Sequence, residues 1–300
     1  MATAASGRAH LGIAFVLGGT AAIAGMDALV KHASQEYSVL QLTWMRFLVQ
    51  TALLLALVPP RRSLAYLRTR RPKLQILRAA LLLIASLAFF TALRFLPLAQ
   101  ANAIAFVAPL LITALSYPLL GEPVGVRRWS AVVVGLLGML IIIRPGVAAF
   151  HWALLMPLVM AMASALYHTT TPLLARSEDP TGTLYFAGIA GSGVLALAMP
   201  AVWQTPDWLG WIEMLGLGAL GTIGHFLMIA GFRHGEAAAV SPFLFAHLLW
   251  ASALGAAFFR EVPDAWTVTG ALILVGAGIY VYRRERVFGT RIAADGAARS

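Results

Sequence analysis

The sequence predicts an all-α membrane protein with ten transmembrane helices in two inverted five-helix repeats. Three observations support this fold class. The composition is more apolar than a soluble domain can bury, ten separate runs reach the length of about 20 residues needed to span a bilayer, and the chain resembles itself at a fixed offset. Each observation has a physical reason, and together they restrict the functions open to the chain.

The composition is that of a chain solvated by lipid. Of the 300 residues, 60% are hydrophobic and 11% are charged, and the mean hydropathy is +0.81. A soluble domain carries about 25% charged residues, and a single core stops growing near this chain length. The surplus apolar surface therefore needs the bilayer as its solvent. The chain has no cysteine, which excludes disulfides, thiolate catalysis and Cys-ligated metals.

Ten hydrophobic runs are long enough to cross the hydrocarbon core as helices. Residues rich in Pro, Gly and charge separate them, and no separating segment is long enough to fold alone. The fifth run is short, and the sixth contains Pro157 and Pro172. The predicted spans are residues 10–32, 38–58, 74–94, 98–119, 128–144, 152–174, 181–202, 211–232, 238–259 and 265–282.

The distribution of Lys and Arg predicts the orientation in the membrane. With the N-terminus inside, 17 of the 22 basic residues fall on the cytoplasmic side, including the segment Arg61–Arg78, interpreted as a topology determinant. Arg46 lies within a span. The four on the opposite side are Lys31, Arg94, Arg144 and Arg260. The positive-inside rule therefore predicts a multi-pass inner-membrane protein with both termini in the cytoplasm, and the net charge of +10 needs no nucleic acid as a partner.

A shift of 139 residues aligns the sequence with itself. Charged residues are sparse, so three same-type matches in one gapless register are not expected by chance. The matched pairs are Arg94 with Arg233, Glu122 with Glu261, and Arg144 with Arg283. Each half holds five spans, and because five is odd the second half enters from the opposite side. Inverted halves can exchange inward and outward openings around a central site, which favours transport; the alternative is a duplication kept only for packing.

A similar series of residues follows the third span of each half. The first half has Arg94, the turn Ala99–Ala103, Pro109 in mid-span, and Gly121–Glu122–Pro123 before a Gly-rich span. The second half has Arg233, Gly235–Ala239, Arg260–Pro263 and Gly270 to Gly278, but Leu248 in the register of Pro109. The chain thereby resembles the EamA-type exporters of the drug/metabolite transporter superfamily over nearly its whole length, and among them the YddG-like amino-acid exporters. The resemblance implies that spans three, four, eight and nine, with one and six, line the substrate path. The missing proline partner of Pro109 is a departure from the family pattern and predicts asymmetric flexing in mid-span.

Charged side chains inside membrane helices are costly and indicate function by default. Asp27 is the one acid of twelve that lies well within a span, and Lys31 follows one turn later. Asp27 is interpreted either as a structural ion pair with Lys31 or as a titratable group that binds a substrate ammonium. Arg46 keeps its charge and is interpreted as a latch to Asp27, a site for a substrate carboxylate, or a side chain that reaches the membrane surface. These two are the predicted gating or coupling residues.

Three histidines lie on separate spans and predict a shared polar cavity, although a single membrane histidine is usually hydrogen-bonded structure. Their spacing matches no zinc pattern, and histidine permits proton coupling because it titrates near physiological pH. The predicted substrate-cavity residues are Trp44, Phe89, Phe90, Asn102, Tyr167, His168, His225, His247 and Trp250. The alternatives are packing or lipid contact for the aromatic residues, and helix capping for Asn102.

The predicted function is a secondary transporter that exports small metabolites, including aromatic and other amino acids, across the inner membrane by alternating access. The predicted domains are residues 8–146 and 147–286, followed by a cytoplasmic tail, 287–300. The expected partners are a small-molecule substrate and the lipid bilayer. No cofactor or metal is expected, and the chain carries no Walker-type motif for ATP. The Gly-rich fifth and tenth spans are expected to pack within one chain; the alternative is a homodimer through them.

Two other functions compete with this prediction. An integral-membrane enzyme needs acids, histidines or a nucleophile that converge, whereas eleven of the twelve acids lie at loops, tails or span ends. A sugar-nucleotide or phosphate-ester antiporter of the same superfamily needs several Lys or Arg in its cavity. Only Arg46 is expected there, which argues against it.

Overall fold

The computed structural model of the chain describes residues 2–57, 69–121, 125–145, 151–175, 180–234 and 240–297. Every regular element in these ranges is helical. The α-helices are α1 Ala2–Ala33, α2 Val39–Leu57, α3 Pro72–Phe95, α4 Leu98–Ala105, α5 Ala108–Leu120, α6 Val126–Ile143, α7 Met156–Thr169, α8 Thr171–Ala175, α9 Pro180–Ala196, α10 Met199–Val202, α11 Trp208–His234, α12 Ala246–Phe259 and α13 Ala265–Ala297. Two 3₁₀ turns, Trp152–Leu155 and Ser241–Phe245, lead directly into α7 and α12. Part of the predicted loop, residues 61–68, and Glu122 lie outside the described residues.

The ten predicted spans are present as helices. Within the described ranges, eight helical segments are long and apolar enough to cross a membrane, and two shorter apolar ones, Gly182–Ala196 and Ala265–Val281, complete the ten. The fourth span consists of α4 and α5, while the sixth and ninth each consist of a 3₁₀ turn and the helix after it. The all-α, ten-helix prediction is confirmed. Helix α13 continues to Ala297, beyond the predicted end of its span at residue 282.

The helix boundaries follow the 139-residue repeat. Helix α5 ends at Leu120, and α12 ends at Phe259, 139 residues later. The helix contacts have the same symmetry, because α1 packs on α11 as α7 packs on α3, and α1 packs on α12 as α7 packs on α5. Equivalent helices also pack on each other, α2 on α9 and α6 on α13.

The two halves run in opposite directions. Gly188 of α9 lies against Thr51 of α2, and Gly191 lies against Phe47, so residue numbers rise along one helix as they fall along the other. The repeats are therefore inverted, as the odd number of spans per half predicts.

Glycines allow α6 and α13 to approach closely within one chain. A Cβ on Gly138 would lie 3.0 Å from the backbone oxygen of Gly270 and 2.9 Å from Ile273, and a Cβ on Gly270 would overlap the backbone oxygen of Gly138. Small residues at such crossings let membrane helices gain backbone contact. This packing is the first of the two roles expected for these glycines; a homodimer stays a prediction.

Both halves are interrupted near the middle of the bundle at equivalent positions. In the first half α4 ends before Phe106 and α5 starts at Ala108; Pro109 has no N–H to donate to the carbonyl of residue 105. In the second half the junction of 3₁₀ turn and α-helix falls at Phe245, 139 residues after Phe106, without a proline in the register of Pro109. The rings of Phe106 and Phe245 lie 5.2 Å apart, so the two interruptions meet.

Replacement of Gly270 by alanine is expected to destabilise the α6–α13 contact, because the new methyl group meets backbone that cannot rotate away. Overpacking of this kind costs about 1–3 kcal/mol. The matched control is Gly276→Ala on the same helix, where a Cβ has no neighbour within 4 Å and helix propensity favours alanine. Thermal unfolding of the detergent-purified variants should show a lower midpoint for Gly270→Ala only. Equal midpoints would contradict the close crossing.

Candidate substrate cavity

A cavity of about 820 Å³ lies between the two halves. It extends from Asp27 and His247 in mid-bundle to the end where α3 and α9 begin, which Arg78 and Thr183 line. The six spans that the family resemblance implies all contribute to its wall, and spans two and seven contribute as well. Its volume lies within the range of roughly 300–1,000 Å³ that is typical of small-molecule sites.

Most of the residues singled out in the sequence come together around this cavity. Seven of the nine predicted cavity residues line it, and so do both predicted gating or coupling residues. These nine are Asp27, Arg46, Phe89, Phe90, Asn102, Tyr167, His168, His225 and His247. Residues from both inverted repeats therefore build one largely apolar cavity with aromatic rings and a few charged and polar groups in its wall.

Two predicted cavity residues, Trp44 and Trp250, do not line it. The indole nitrogen of Trp44 donates to the Ser192 carbonyl at 3.0 Å, and its ring packs edge-on against Trp203, so Trp44 ties α2 to the second half. Trp250 is 40% exposed. It lies one turn beyond His247, towards the end of the bundle that the cavity does not reach, which is why its proximity in sequence was misleading.

The carboxylate of Asp27 is fully buried at the deep end of the cavity. Its Oδ2 lies 3.1 Å from Nε2 of His247 and accepts a hydrogen bond from Asn102 Nδ2 at 3.3 Å. When the carboxylate is ionised it only accepts hydrogen bonds, and Nε2 of His247 is then the donor in this contact. The other oxygen, Oδ1, is buried and accepts no hydrogen bond from the described protein groups. The cavity thus contains an acceptor without a donor.

The predicted ion pair between Asp27 and Lys31 is wrong. Lys31 Nζ lies 2.8 Å from Glu261 Oε1 and donates to the Leu96 carbonyl at 2.6 Å. These partners satisfy the ammonium across the bundle, because a lysine side chain is long enough to reach the end of α12. Asp27, one turn earlier, points into the cavity instead.

Arg46 is buried and contacts the cavity from α2. Its Nη1 donates to Ser86 Oγ at 2.6 Å, so the guanidinium reaches α3 and not the Asp27 carboxylate that the latch interpretation gave it. Its Nε is buried and donates to none of the described protein groups. Arg46 therefore brings an unused donor and a fixed positive charge to the same cavity as Asp27.

A second buried arginine, Arg78, was missed. It was counted with the cytoplasmic loop, but it lies in the second turn of α3, is 3% exposed and lines the cavity. Its Nη1 donates to the Tyr167 carbonyl at 2.7 Å and to Thr171 Oγ1 at 2.8 Å, and its guanidinium lies 4.0 Å from the centre of the Tyr167 ring. The available signal was its position inside the predicted span 74–94.

The histidines occupy different parts of the cavity. Nδ1 of His225 lies 2.7 Å from the Gly221 carbonyl and so carries a proton, while the ring of His168 packs edge-on against Tyr167. Only His247 contacts Asp27 among the three. Among the described residues, no group of three His, Cys, Asp or Glu is placed to hold a metal ion.

At the other end of the bundle, polar contacts join the two halves across the space above the cavity. Besides Lys31–Glu261, Glu261 Oε2 accepts from the Leu98 N–H at 2.9 Å. Further contacts are Gln41 with the Gln204 carbonyl at 2.7 Å, Tyr37 with Asp207 at 3.2 Å, and His32 with Glu213 at 2.6 Å. We refer to these residues as the closing layer. The cavity stops below it, so the structure is closed at this end.

An ion pair between Arg144 and Asp264 stands beside the closing layer. Burial raises the pKa of the Asp264 carboxyl, but hydrogen bonds from Thr267 and the Arg144 guanidinium outweigh burial and hold this pKa below its ordinary value. The pair therefore stays ionised at neutral pH.

Ten spans in two inverted halves, around a largely apolar cavity that holds a few charged groups and is closed at one end, define a membrane transporter. The chain belongs to the EamA-like transporter family, whose profile matches residues 10–144 and 151–283.

Characterised relatives carry transporter names. The S-adenosylmethionine uptake transporter of Rickettsia prowazekii is 26% identical over 87% of this chain and 88% of its own length. The riboflavin transporter of Rhizobium johnstonii is 29% identical over 75% of each chain. The pseudopaline exporter CntI of Pseudomonas aeruginosa is 26% identical over 87% of this chain and 92% of its own length. These names support a transporter and not an enzyme, and they include both uptake and export.

A crystal structure of another protein shares the fold. Its TM-score is 0.60, and the match covers 90% of this chain and 98% of that chain at 22% identity. At this identity the likeness concerns the fold alone.

The absence of native cysteines allows a direct test of which end is open. Ser164 lines the cavity, whereas Ser34 is fully buried beside Lys31 of the closing layer. Reactivity of a cysteine follows its access to solvent, so Ser164→Cys is expected to react with a water-soluble maleimide about tenfold faster than Ser34→Cys. Mass spectrometry of the intact protein measures both rates. Equal rates would contradict a bundle that is closed at the Lys31 end.

Proposed function

We propose that the chain is a secondary transporter of small amphipathic metabolites that carry an amino-acid-like head group, aromatic amino acids included. The observation that carries this proposal is a pair of buried, oppositely charged groups in one cavity, each with an unused hydrogen-bonding atom: Oδ1 of Asp27 and Nε of Arg46. Buried polar atoms without partners are costly, and a bound zwitterion would satisfy both once the Asp27 and Arg46 side chains turn towards it.

Each part of such a substrate has a complementary surface. The ammonium group would donate to Asp27 Oδ1, and the carboxylate would accept from Arg46, whose charge strengthens the hydrogen bond. Phe89, Phe90 and Tyr167 line the same cavity and offer contacts to an apolar or aromatic side chain. The volume of about 820 Å³ also leaves room for substrates larger than a free amino acid.

The relatives' names are compatible with this chemistry. S-adenosylmethionine, the compound in the name of several relatives, joins an amino-acid group to an aromatic base, and riboflavin is a planar aromatic compound. For this chain we extend the proposal to compounds of that size, with an amino-acid head as the recognised element.

The proposed cycle is alternating access between the halves 8–146 and 147–286, with 287–300 as a tail. The closing layer would open as the end near Arg78 closes, so the Lys31–Glu261 pair would break in each cycle. The excess of Lys and Arg on one side supports both termini, and the open end of the cavity, in the cytoplasm. Substrate would then enter from the cytoplasm, and we propose export across the inner membrane as the working direction.

A second candidate is an antiporter of sugar nucleotides or phosphate esters. Arg78 favours it, because two buried arginines, and not one, line the cavity, and Nε of each donates to none of the described protein groups. Asp27 favours the amino-acid-like substrate, because the negative charge of its carboxylate would repel a phosphate and attract an ammonium group.

Purified protein in liposomes is expected to take up labelled phenylalanine or S-adenosylmethionine with saturation. Asp27→Asn should lower the initial rate at least about tenfold, because a hydrogen bond to a charged group contributes about 1.5–3 kcal/mol. Trp250→Phe, which alters a membrane residue outside the cavity, is the matched control and should keep the wild-type rate.

A panel of labelled amino acids, riboflavin and a sugar nucleotide separates the candidates. The anionic substrate would be favoured over the amino-acid-like one by a single pattern of results. In that pattern only the sugar nucleotide is taken up with saturation, and its uptake is lost in Arg78→Gln and kept in Asp27→Asn. Absence of flux for the whole panel would refute both.

A further inference from the structure

The contact between Asp27 and His247 joins the two inverted halves inside the cavity. Asp27 lies on α1 of the first half and His247 on α12 of the second, with 3.1 Å between Oδ2 and Nε2. The Asp27 side chain is 1% exposed and that of His247 is 16% exposed. The histidine ring therefore stays accessible from the cavity while it holds the carboxylate.

Few charged groups share this environment. Arg46 of α2 is close enough to Asp27 to interact with its charge, and His225 of α11 is close to Arg46. On α3, Arg78 is bound to Tyr167 and Thr171. On α1 itself, Lys31 is neutralised by Glu261. Helix α4 contributes no titratable side chain and faces Asp27 with Asn102.

One carboxylate can neutralise one added cation. With Asp27 and Arg46 ionised and His247 neutral, the charges at the site sum to zero. A proton on His247 or an ammonium on Oδ1 of Asp27 each adds a positive charge beside the same carboxylate. Two unit charges about 5 Å apart at an effective dielectric constant of about 20 repel each other enough to weaken binding roughly a few hundredfold. Proton and substrate ammonium therefore compete with each other.

We propose that Asp27 and His247 form a proton site that competes with the ammonium group of the substrate, so that the transporter exchanges one proton for one substrate molecule. When the ammonium donates to Oδ1, the imidazolium releases its Nδ1 proton to water in the cavity and keeps Nε2–H on Oδ2. When the substrate leaves, Nδ1 takes up a proton from the water. No redox or covalent step is involved.

This inference rests on the proposed function and adds the energy source of transport, which is the proton gradient across the membrane. Because binding linkage is reciprocal, a bound proton must lower the affinity for substrate by the same factor as bound substrate lowers the affinity for the proton. The affinity for substrate is therefore expected to fall as the proton concentration rises.

The test uses full-length protein in liposomes that contain a pH-sensitive dye, with the membrane potential clamped and labelled phenylalanine and S-adenosylmethionine as probes. For wild type we expect one proton to leave the liposome for each substrate molecule taken up. The apparent KM should rise as the pH is lowered, because the proton competes with the substrate.

His247→Gln keeps a side-chain N–H near Asp27 but cannot take up a proton. Whatever substrate flux this variant has is expected to occur without proton movement and with a KM independent of pH. His234→Gln is the matched control on a histidine outside the cavity, bonded to the Ala230 carbonyl, and should behave as wild type.

Flux without proton movement in wild type would overturn the proton site and leave the proposed function standing. Unchanged proton coupling in His247→Gln would overturn it as well. Absence of any flux in wild type would overturn the proposed function and, with it, this inference. If His247→Gln does not give a monodisperse protein, the wild-type measurement alone tests the proton site. A ratio of zero protons per substrate molecule would then contradict it.

Discussion

Burial of the Asp27 carboxylate between the two halves is the interaction on which the rest of the site depends. A charge inside a bilayer is tolerated only where protein or water compensates it. His247 and Asn102 engage one oxygen of this carboxylate, and Arg46 supplies the opposite charge in the same cavity. The second oxygen is left without a donor. The proposed binding of a substrate ammonium rests on this unfilled acceptor beside a compensated charge.

The inverted fold explains how such a site can serve both sides of a membrane. Equivalent helices pack on each other about the middle of the bundle, and the two interrupted spans meet there through Phe106 and Phe245. The closing layer, with Lys31–Glu261 as its ion pair, is made of side-chain contacts that can break without loss of helical structure. In the proposed alternating-access cycle, the two arrangements of the repeat pair would differ mainly in which end carries these contacts.

The fold could be predicted because its determinants are local. Apolar runs set the spans, and an odd number of spans per repeat sets the inversion. The site was only partly predictable, since the partner of a long side chain is decided by tertiary distance. Lys31 has Asp27 within helical reach yet bonds to Glu261. Arg78 was counted as a loop charge although its span had been identified, and Trp250 was placed in the cavity because it follows His247 by one turn.

The most direct test of the account compares two ligands and two proteins. Phenylalanine and 3-phenylpropionate differ by the ammonium group, and Asp27→Asn removes its proposed acceptor. Calorimetry in detergent measures the affinity for each ligand. Wild type is expected to bind phenylalanine at least about tenfold more tightly than 3-phenylpropionate, a difference of about 1.4 kcal/mol. Asp27→Asn should bind both equally, so the coupling energy between the carboxylate and the ammonium has the same size. A preference that persists in Asp27→Asn would contradict the role of the buried carboxylate.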